Sequence, residues 1–341
     1  MHPGVSREAE VNLMKSRSMR CAAGAILALL LATGLCKAEA WNPNPPLHKV
    51  ATLLMTWHDD TRNRDIPVKI YYPADATAPC PMIIFSHGLG GSRAGYSYLG
   101  ERWAEDGYIS VHPQHLGSDD AVWQDAGADG YAALTQAVAN PQNAINRALD
   151  VPFVINKMLA LNKTAGSPLA GLIDPTKIGM AGHSFGAWTT LAVVGEKMKT
   201  GVTFLDPRIK SAIAMSAPVP GGAVAAAGQF TDIKVPVFHM TGTLDDSPIG
   251  ETKAADRRIP YDQSSTPGTC LVIFNGADHM VFSGHAIAAM GRNDARYQAL
   301  ILPASLAFWD ATLRGDASAK DWLYGGGFAK MLGSQGTFEK R

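Results

Sequence analysis

No charge of one sign dominates this chain. Lys and Arg together number 30, as do Asp and Glu, which excludes the basic footprint that binding a phosphate backbone demands. No nucleic-acid partner is expected. Long apolar runs are missing too: crossing a bilayer takes about 20 apolar residues, and the run over 22–32 falls short of that. It follows Lys15, Arg17 and Arg20 and leads to the small residues of Ala38-Glu-Ala40, the order of a secretory signal peptide. Residues 1–40 are therefore expected to be cleaved, with Met14 and Met19 as alternative starts. The remainder is expected to be secreted or periplasmic, with no stable membrane span.

Cysteine is scarce. Of 4 in the chain only Cys80 and Cys270 follow residue 40, and export permits a disulfide without requiring one. Metal-ligand spacings are absent: His87, His112, His115, His183, His239, His279 and His285 fall in no H-E-x-x-H, and there is no Cys-x-x-Cys, so no metal is expected. The Gly-rich stretch 85–91 lacks G-x-G-x-x-G and is followed by no G-K-[ST], which argues against a nucleotide. No cofactor is expected.

What is present is a rhythm. With 341 residues, 46% of them hydrophobic, the chain fills a sizeable core. Past the Pro-rich stretch 41–46, short apolar runs alternate with helix-length segments, the pattern of an α/β sheet. Strands are predicted over 50–57, 66–72, 81–86, 108–112, 177–182, 209–216, 235–241 and 270–275. Helices are predicted over 96–105, 139–161, 187–199, 285–289 and 296–313. The first two strands have little helical material between them and are expected to form an antiparallel edge; the later ones read as parallel strands buried on both faces. Residues 113–140 and 247–269 fit neither pattern, and loops of that length are commonly functional.

Such a sheet presents ligands at the carboxyl ends of its strands, and four of those ends carry chemistry. Gly182-His-Ser-Phe-Gly186 places Ser184 between glycines at minus and plus two, as a strained strand-to-helix turn exposing a nucleophile requires; an ordinary Gly-Ser turn is the alternative. An alcohol needs a base within hydrogen-bond reach, and His279 follows the last predicted strand in Asn275-Gly-Ala-Asp-His279. An acid is needed to orient the imidazole, and Thr241-Gly-Thr-Leu-Asp-Asp246 offers Asp245 or Asp246, of which Asp245 is preferred. The order Ser184, Asp245, His279 differs from that of the chymotrypsin and subtilisin folds. Fourth, Phe85-Ser-His-Gly-Leu-Gly-Gly91 supplies a Gly-rich loop whose Leu89 amide, with that of Phe185, is placed to hold an oxyanion. Leu89, Phe185, Trp188, Met280 and Phe282 make the surroundings apolar and favour an uncharged substrate; a core position is the alternative for each of them, and the preferred one for Trp188. His183 is read as supporting the turn. His112 and His115 either border the pocket or are satisfied loop histidines.

These residues resemble an α/β-hydrolase, and more narrowly the branch containing the platelet-activating-factor acetylhydrolases and bacterial predicted dienelactone hydrolases. The resemblance covers roughly residues 50–315. It is carried by Arg64-Asp-Ile-Pro-Val-Lys-Ile-Tyr-Tyr-Pro73, by Phe85-Ser-His-Gly-Leu-Gly-Gly91 with Tyr96 following, by Gly107-Tyr108 through His115-Leu-Gly-Ser118, by Gly182-His-Ser-Phe-Gly186, and by the Asp245 and His279 loops. It implies an α/β-hydrolase fold with a mostly parallel eight-stranded sheet and helices on both faces. The domain order is then a signal peptide (1–40), a linker (41–49), a catalytic domain (50–315) and a C-terminal extension (316–341). It further implies Ser184 as nucleophile, His279 as base, Asp245 as acid and the Leu89 and Phe185 amides as oxyanion hole. The serine stands where dienelactone hydrolases use cysteine, and Ala187 where the acetylhydrolases tend to have glycine, which argues against a lactone substrate. In the family's strand order Cys80 and Cys270 lie about 19 Å apart, beyond the about 7 Å a disulfide spans, so both are expected unpaired. The expected protein is a monomeric serine esterase acting on small-molecule, lipid or polymer esters. Polyester hydrolase and lipase- or phospholipase-type activities are the alternatives within the class, and a noncatalytic binding module on the same scaffold is the alternative outside it.

Overall fold

From Cys80 onward strand and helix alternate as the apolar rhythm predicts. The computed structural model describes Met1 and residues 40–45, 47–198, 201–284 and 294–341; the expected signal peptide and the helix expected over 285–289 lie outside the described residues. The strands are β1 (Val50–Asp59), β2 (Arg64–Pro73), β3 (Cys80–Ser86), β4 (Ile109–Pro113), β5 (Ile173–His183), β6 (Ile209–Met215), β7 (Val237–Leu244), β8 (Cys270–Asp278) and β9 (Gly336–Lys340). They form one sheet in the order β1-β2-β4-β3-β5-β6-β7-β8-β9. β1 and β2 pair antiparallel at one edge, and β4 through β8 run parallel to one another.

The helices that matter below are α1 (Ser97–Glu105), α2 (Ala121–Ala126), α3 (Gly130–Ala139), α4 (Pro141–Leu161), α5 (Phe185–Val194), α6 (Ala295–Trp309), α7 (Ala317–Gly325) and α8 (Gly327–Leu332). Their placement follows from side-chain alternation along the strands. On β3, Met82 and Ile84 join Val151, Ile155 and Met158 of α4 and Leu191 of α5 in one buried cluster. Ile83 and Phe85 face the other way, into a second cluster with Leu99 and Trp103 of α1 and Ile301, Phe308 and Trp309 of α6. α4 begins where the sequence dictates: the Asn140 side chain accepts from Gln142 N–H and Pro141 occupies the first turn, where its missing N–H costs nothing.

Three expectations need correction or refinement. The sheet has nine strands, not eight, because residues 336–340 of the expected extension pair antiparallel with β8, Val272 facing Phe338. Phe338 is why: its ring lies 5.0 Å from Phe328 and 6.0 Å from Phe238, a burial that a five-residue strand with one aromatic hardly announces. Residues 113–140 are not a plain loop but hold α2 and α3, tied to the rest of the domain by Trp123 Nε1 donating to Gly90 O (2.9 Å) and Tyr131 OH donating to Pro248 O (3.2 Å). The expected linker is docked: Trp41 packs 4.6 Å from Trp322 and its Nε1 donates to Asp310. Cys80 and Cys270 are separate buried thiols on β3 and β8, four strands apart.

Directly after α5, Glu196 is buried, and among the described residues its Oε2 has no hydrogen-bond partner. Burial raises its carboxyl to about 8. A carboxyl neutral in the fold but ionised in the unfolded chain penalises folding as pH climbs from 4.5 to about 8, by about 1.4 kcal/mol per unit. Glu196→Gln is therefore expected to be near-neutral for Tm at pH 5 and stabilising at pH 8. Equal effects at both pH values would contradict a buried, neutral Glu196.

Candidate active site

β5 runs into α5 through a turn so tight that it admits no side chains at its flanks. A Cβ on Gly182 would lie 2.2 Å from the Gly186 carbonyl oxygen, and one on Gly186 would lie 1.9 Å from that of Ser86. Between them Ser184 sits at φ 56°, ψ −119°, a conformation that a non-glycine residue holds only under tertiary constraint. Part of the constraint is Ser184 N–H donating to Met215 O at 2.9 Å.

The structure brings Ser184, His279 and Asp245 together. Asp245 Oδ1 lies 2.7 Å from His279 Nδ1, and His279 Nε2 lies 2.8 Å from Ser184 Oγ. Since a carboxylate only accepts, Nδ1 carries the proton, leaving Nε2 to accept from the serine hydroxyl. Asp246, the alternative acid, points elsewhere: it is exposed, pairs with Lys253 and accepts from Ala254 N–H.

Asp245 is fully buried and saturated with donors. Ser216 Oγ and Thr241 Oγ1 donate to Oδ2 at 2.6 and 2.7 Å, and Arg257 Nε lies 2.9 Å from Oδ1. Arg257, only 2% exposed, also donates to the carbonyls of Asp245, Ser216 and Ala217. Ser216 itself adopts φ 54°. Neither Arg257 nor Ser216 is legible as a site residue: arginines that bind backbone carbonyls have no spacing signature, and Ser216 reads as the end of a strand.

The Gly-rich loop 85–91 is anchored as closely. His87 Nε2 accepts from His115 N–H at 3.0 Å, so Nδ1 carries the proton and donates to Gly88 O at 2.7 Å. Gly88 N–H donates to Tyr96 OH, which is 2.8 Å from His183 Nδ1, and His183 Nε2 donates to His279 O. His183 thus supports the turn as expected, and ties the Ser184 turn to both neighbouring loops. Burial drives His183 well below its ordinary range and raises Tyr96 to about 12, keeping both neutral. Among the described residues no acceptor engages the amides of Leu89 or Phe185, and both residues line a cavity of about 190 Å³ beside Ser184.

That cavity is also lined by Val138 of α3, by Pro248 and Ile249, and by Met280 beside His279. Met280 lines it as expected; Trp188 and Phe282 do not. Trp188, one turn past Phe185, packs onto the core beneath α5. Phe282 is 0% exposed, set among Phe274 and His183 in the second core cluster. His112 and His115 are buried below the site instead of bordering it: His112 meets Ser110, and His115 bridges Ser86 Oγ and Asp150 Oδ2, each at 2.9 Å.

Comparison with known sequences agrees with this fold. Residues 50–130 match the family described as platelet-activating factor acetylhydrolase, isoform II, a span containing the Gly-rich loop 85–91 and ending before Ser184. A platelet-activating factor acetylhydrolase of Cavia porcellus is 28% identical over an alignment covering 42% of this chain and 38% of that protein. The chain thus spans well under half the length of the curated relative it matches.

Proposed function

We propose that the chain, an α/β fold similar to platelet-activating factor acetylhydrolases over part of its length, is an exported serine hydrolase of short-chain carboxylic esters. The observation that supports this best is the Ser184–His279–Asp245 relay, with links of 2.8 and 2.7 Å. Ser184 Oγ attacks the ester carbonyl as His279 Nε2 takes its proton, and Asp245 holds the imidazolium that forms. The oxyanion rests on the Leu89 amide and on that of Phe185 at the N-terminus of α5, where the helix dipole adds to the field. His279 then protonates the departing alcohol, and water, activated by the same nitrogen, releases the acyl group from Ser184. A cavity of about 190 Å³ lies below the about 300–1,000 Å³ of sites for drug-sized ligands, which favours a short acyl group such as acetyl. Acetyl esters suit that reading, in line with the acetylhydrolase name of the Cavia porcellus relative.

The test is a p-nitrophenyl ester series from acetate to dodecanoate. Activity is expected to peak at two to four acyl carbons, and Ser184→Ala to lower kcat by about 10⁶-fold. A fluorophosphonate probe is expected to label wild type alone. If Ser184→Ala keeps its rate and its label, the esterase reading fails.

A further inference from the structure

We propose that Arg147 is the positioning residue that aims the Leu89 amide, an inference that rests on the esterase reading. Arg147 projects from α4 and is 0% exposed. Asp150, three residues along the same helix, is engaged by Arg62, Arg64 and His115 instead. The Arg147 guanidinium serves carbonyls and hydroxyls: Nη1 donates to His87 O at 2.7 Å and to Ser86 Oγ at 3.4 Å, Nη2 to Gly88 O and Ser118 O at 3.3 Å each, and Nε to Ser118 Oγ at 2.8 Å. Its central carbon lies 4.3 Å over the Phe185 ring. One buried cation therefore touches both segments that carry Leu89 and Phe185, which line the cavity.

The peptide bond explains the consequence. In a planar trans peptide the N–H points opposite to the C=O. The Gly88 carbonyl is gripped from one side by Arg147 Nη2, by His87 Nδ1 at 2.7 Å and by Gly91 N–H at 3.1 Å. The Leu89 N–H of the same peptide must then face the other side, where Leu89 and Ser184 share the cavity wall. The preceding peptide is held at both edges, its carbonyl by Arg147 and its N–H by Tyr96 OH at 3.2 Å. A loop with glycine at 88, 90 and 91 has wide conformational freedom of its own, so an oxyanion donor mounted on it needs outside restraint to be preorganised. Only a planar fork serves several carbonyls at once; a lysine ammonium at the same place reaches fewer.

Arg147→Met, Arg147→Lys and Tyr96→Phe test this with p-nitrophenyl acetate and with a trifluoromethyl ketone, whose adduct on Ser184 carries an oxyanion. For Arg147→Met, kcat is expected to fall about 10- to 100-fold with KM within about 3-fold, short of the about 10²–10³-fold cost of deleting a donor outright. Ketone affinity should fall by the same factor, and Arg147→Lys should recover part of both. A folded Arg147→Met with wild-type kcat and ketone affinity, whatever its Tm, overturns the proposal. Should Arg147→Met not fold, Arg147→Lys and Tyr96→Phe carry the test: lowered kcat at constant KM supports it, and full kcat in both overturns it. Failure here is distinct from failure of the esterase reading, which shows instead as an active Ser184→Ala.

Discussion

Asp245→Asn is expected to lower kcat on p-nitrophenyl acetate by about 10⁴-fold, while Asp246→Asn, one residue on, changes it by less than about 2-fold. The contrast follows from burial. Asp245 is 0% exposed and lies against His279 Nδ1, whereas Asp246 is a solvated cap and partner of Lys253. An asparagine preserves the shape of the site: its oxygen faces His279 and Arg257, and its amide faces the Ser216 and Thr241 hydroxyls, which can rotate to accept. What it removes is the negative charge opposite the imidazolium, and with it the counterion of the buried Arg257. Breaking one side of a buried pair costs about 3–5 kcal/mol, so Asp245→Asn should also lose stability. Combining it with Arg257→Met removes the stranded cation, so the two stability penalties are expected to be markedly less than additive. Kinetics of the two single variants and denaturation of the double-mutant cycle check this. Equal activity losses at 245 and 246, or fully additive stability losses, would refute the pairing.

What the sequence makes legible here is chemistry that is local along the chain. Gly182 and Gly186 declare the turn because backbone approach within one segment demands them, and the oxyanion loop declares itself by its run of glycines. The choice between Asp245 and Asp246 was harder, because it depends on β7 continuing to Leu244 through an irregular pairing with β8 near Gly242. That register leaves Leu244 63% exposed and turns Asp245 inward. For Trp188 and Phe282 the sequence leaves lining and core both open, because an aromatic beside a nucleophile lines a pocket or packs a core according to helix rotation, which adjacency in sequence does not convey; the structure places both in or against the core. Arg147, Arg257 and Ser216 stayed invisible because each acts on groups that other segments bring to it. Tyr96 was visible only as part of a motif, its contact with His183 being tertiary.

Acid is expected to unfold the protein cooperatively between about pH 6 and 4.5, well above the range in which carboxylates usually initiate acid denaturation. His87, His112, His115, His183 and His239 are each at most 2% exposed, and burial is the largest cause lowering every one of them: His112 and His239 to about 3, His115 to about 4, His87 and His183 well down. The unfolded chain takes up these protons from pH 6.5 downward while the fold does not, so the stability present above 6.5 is lost as pH falls. Each histidine contributes about 1.4 kcal/mol per pH unit. Glu196, and below pH 6 Asp106, whose buried carboxyl is raised to about 6, run the other way, but the five histidines outnumber them and the balance is a net loss of stability as pH falls to 5. Asp59, lowered to about 2, adds to the loss only below its ordinary value of 3.8, too late to start the transition. His239 allows a clean check, because among the described residues neither ring nitrogen has a hydrogen-bond partner. His239→Leu should leave stability at pH 7.5 unchanged or raised and move the acid midpoint down by several tenths of a unit in circular dichroism and tryptophan fluorescence. A wild type folded at pH 3, or a variant with an unchanged midpoint, would contradict the account. Because His87 and His183 brace the oxyanion loop and the Ser184 turn, esterase activity should disappear together with the folded signal.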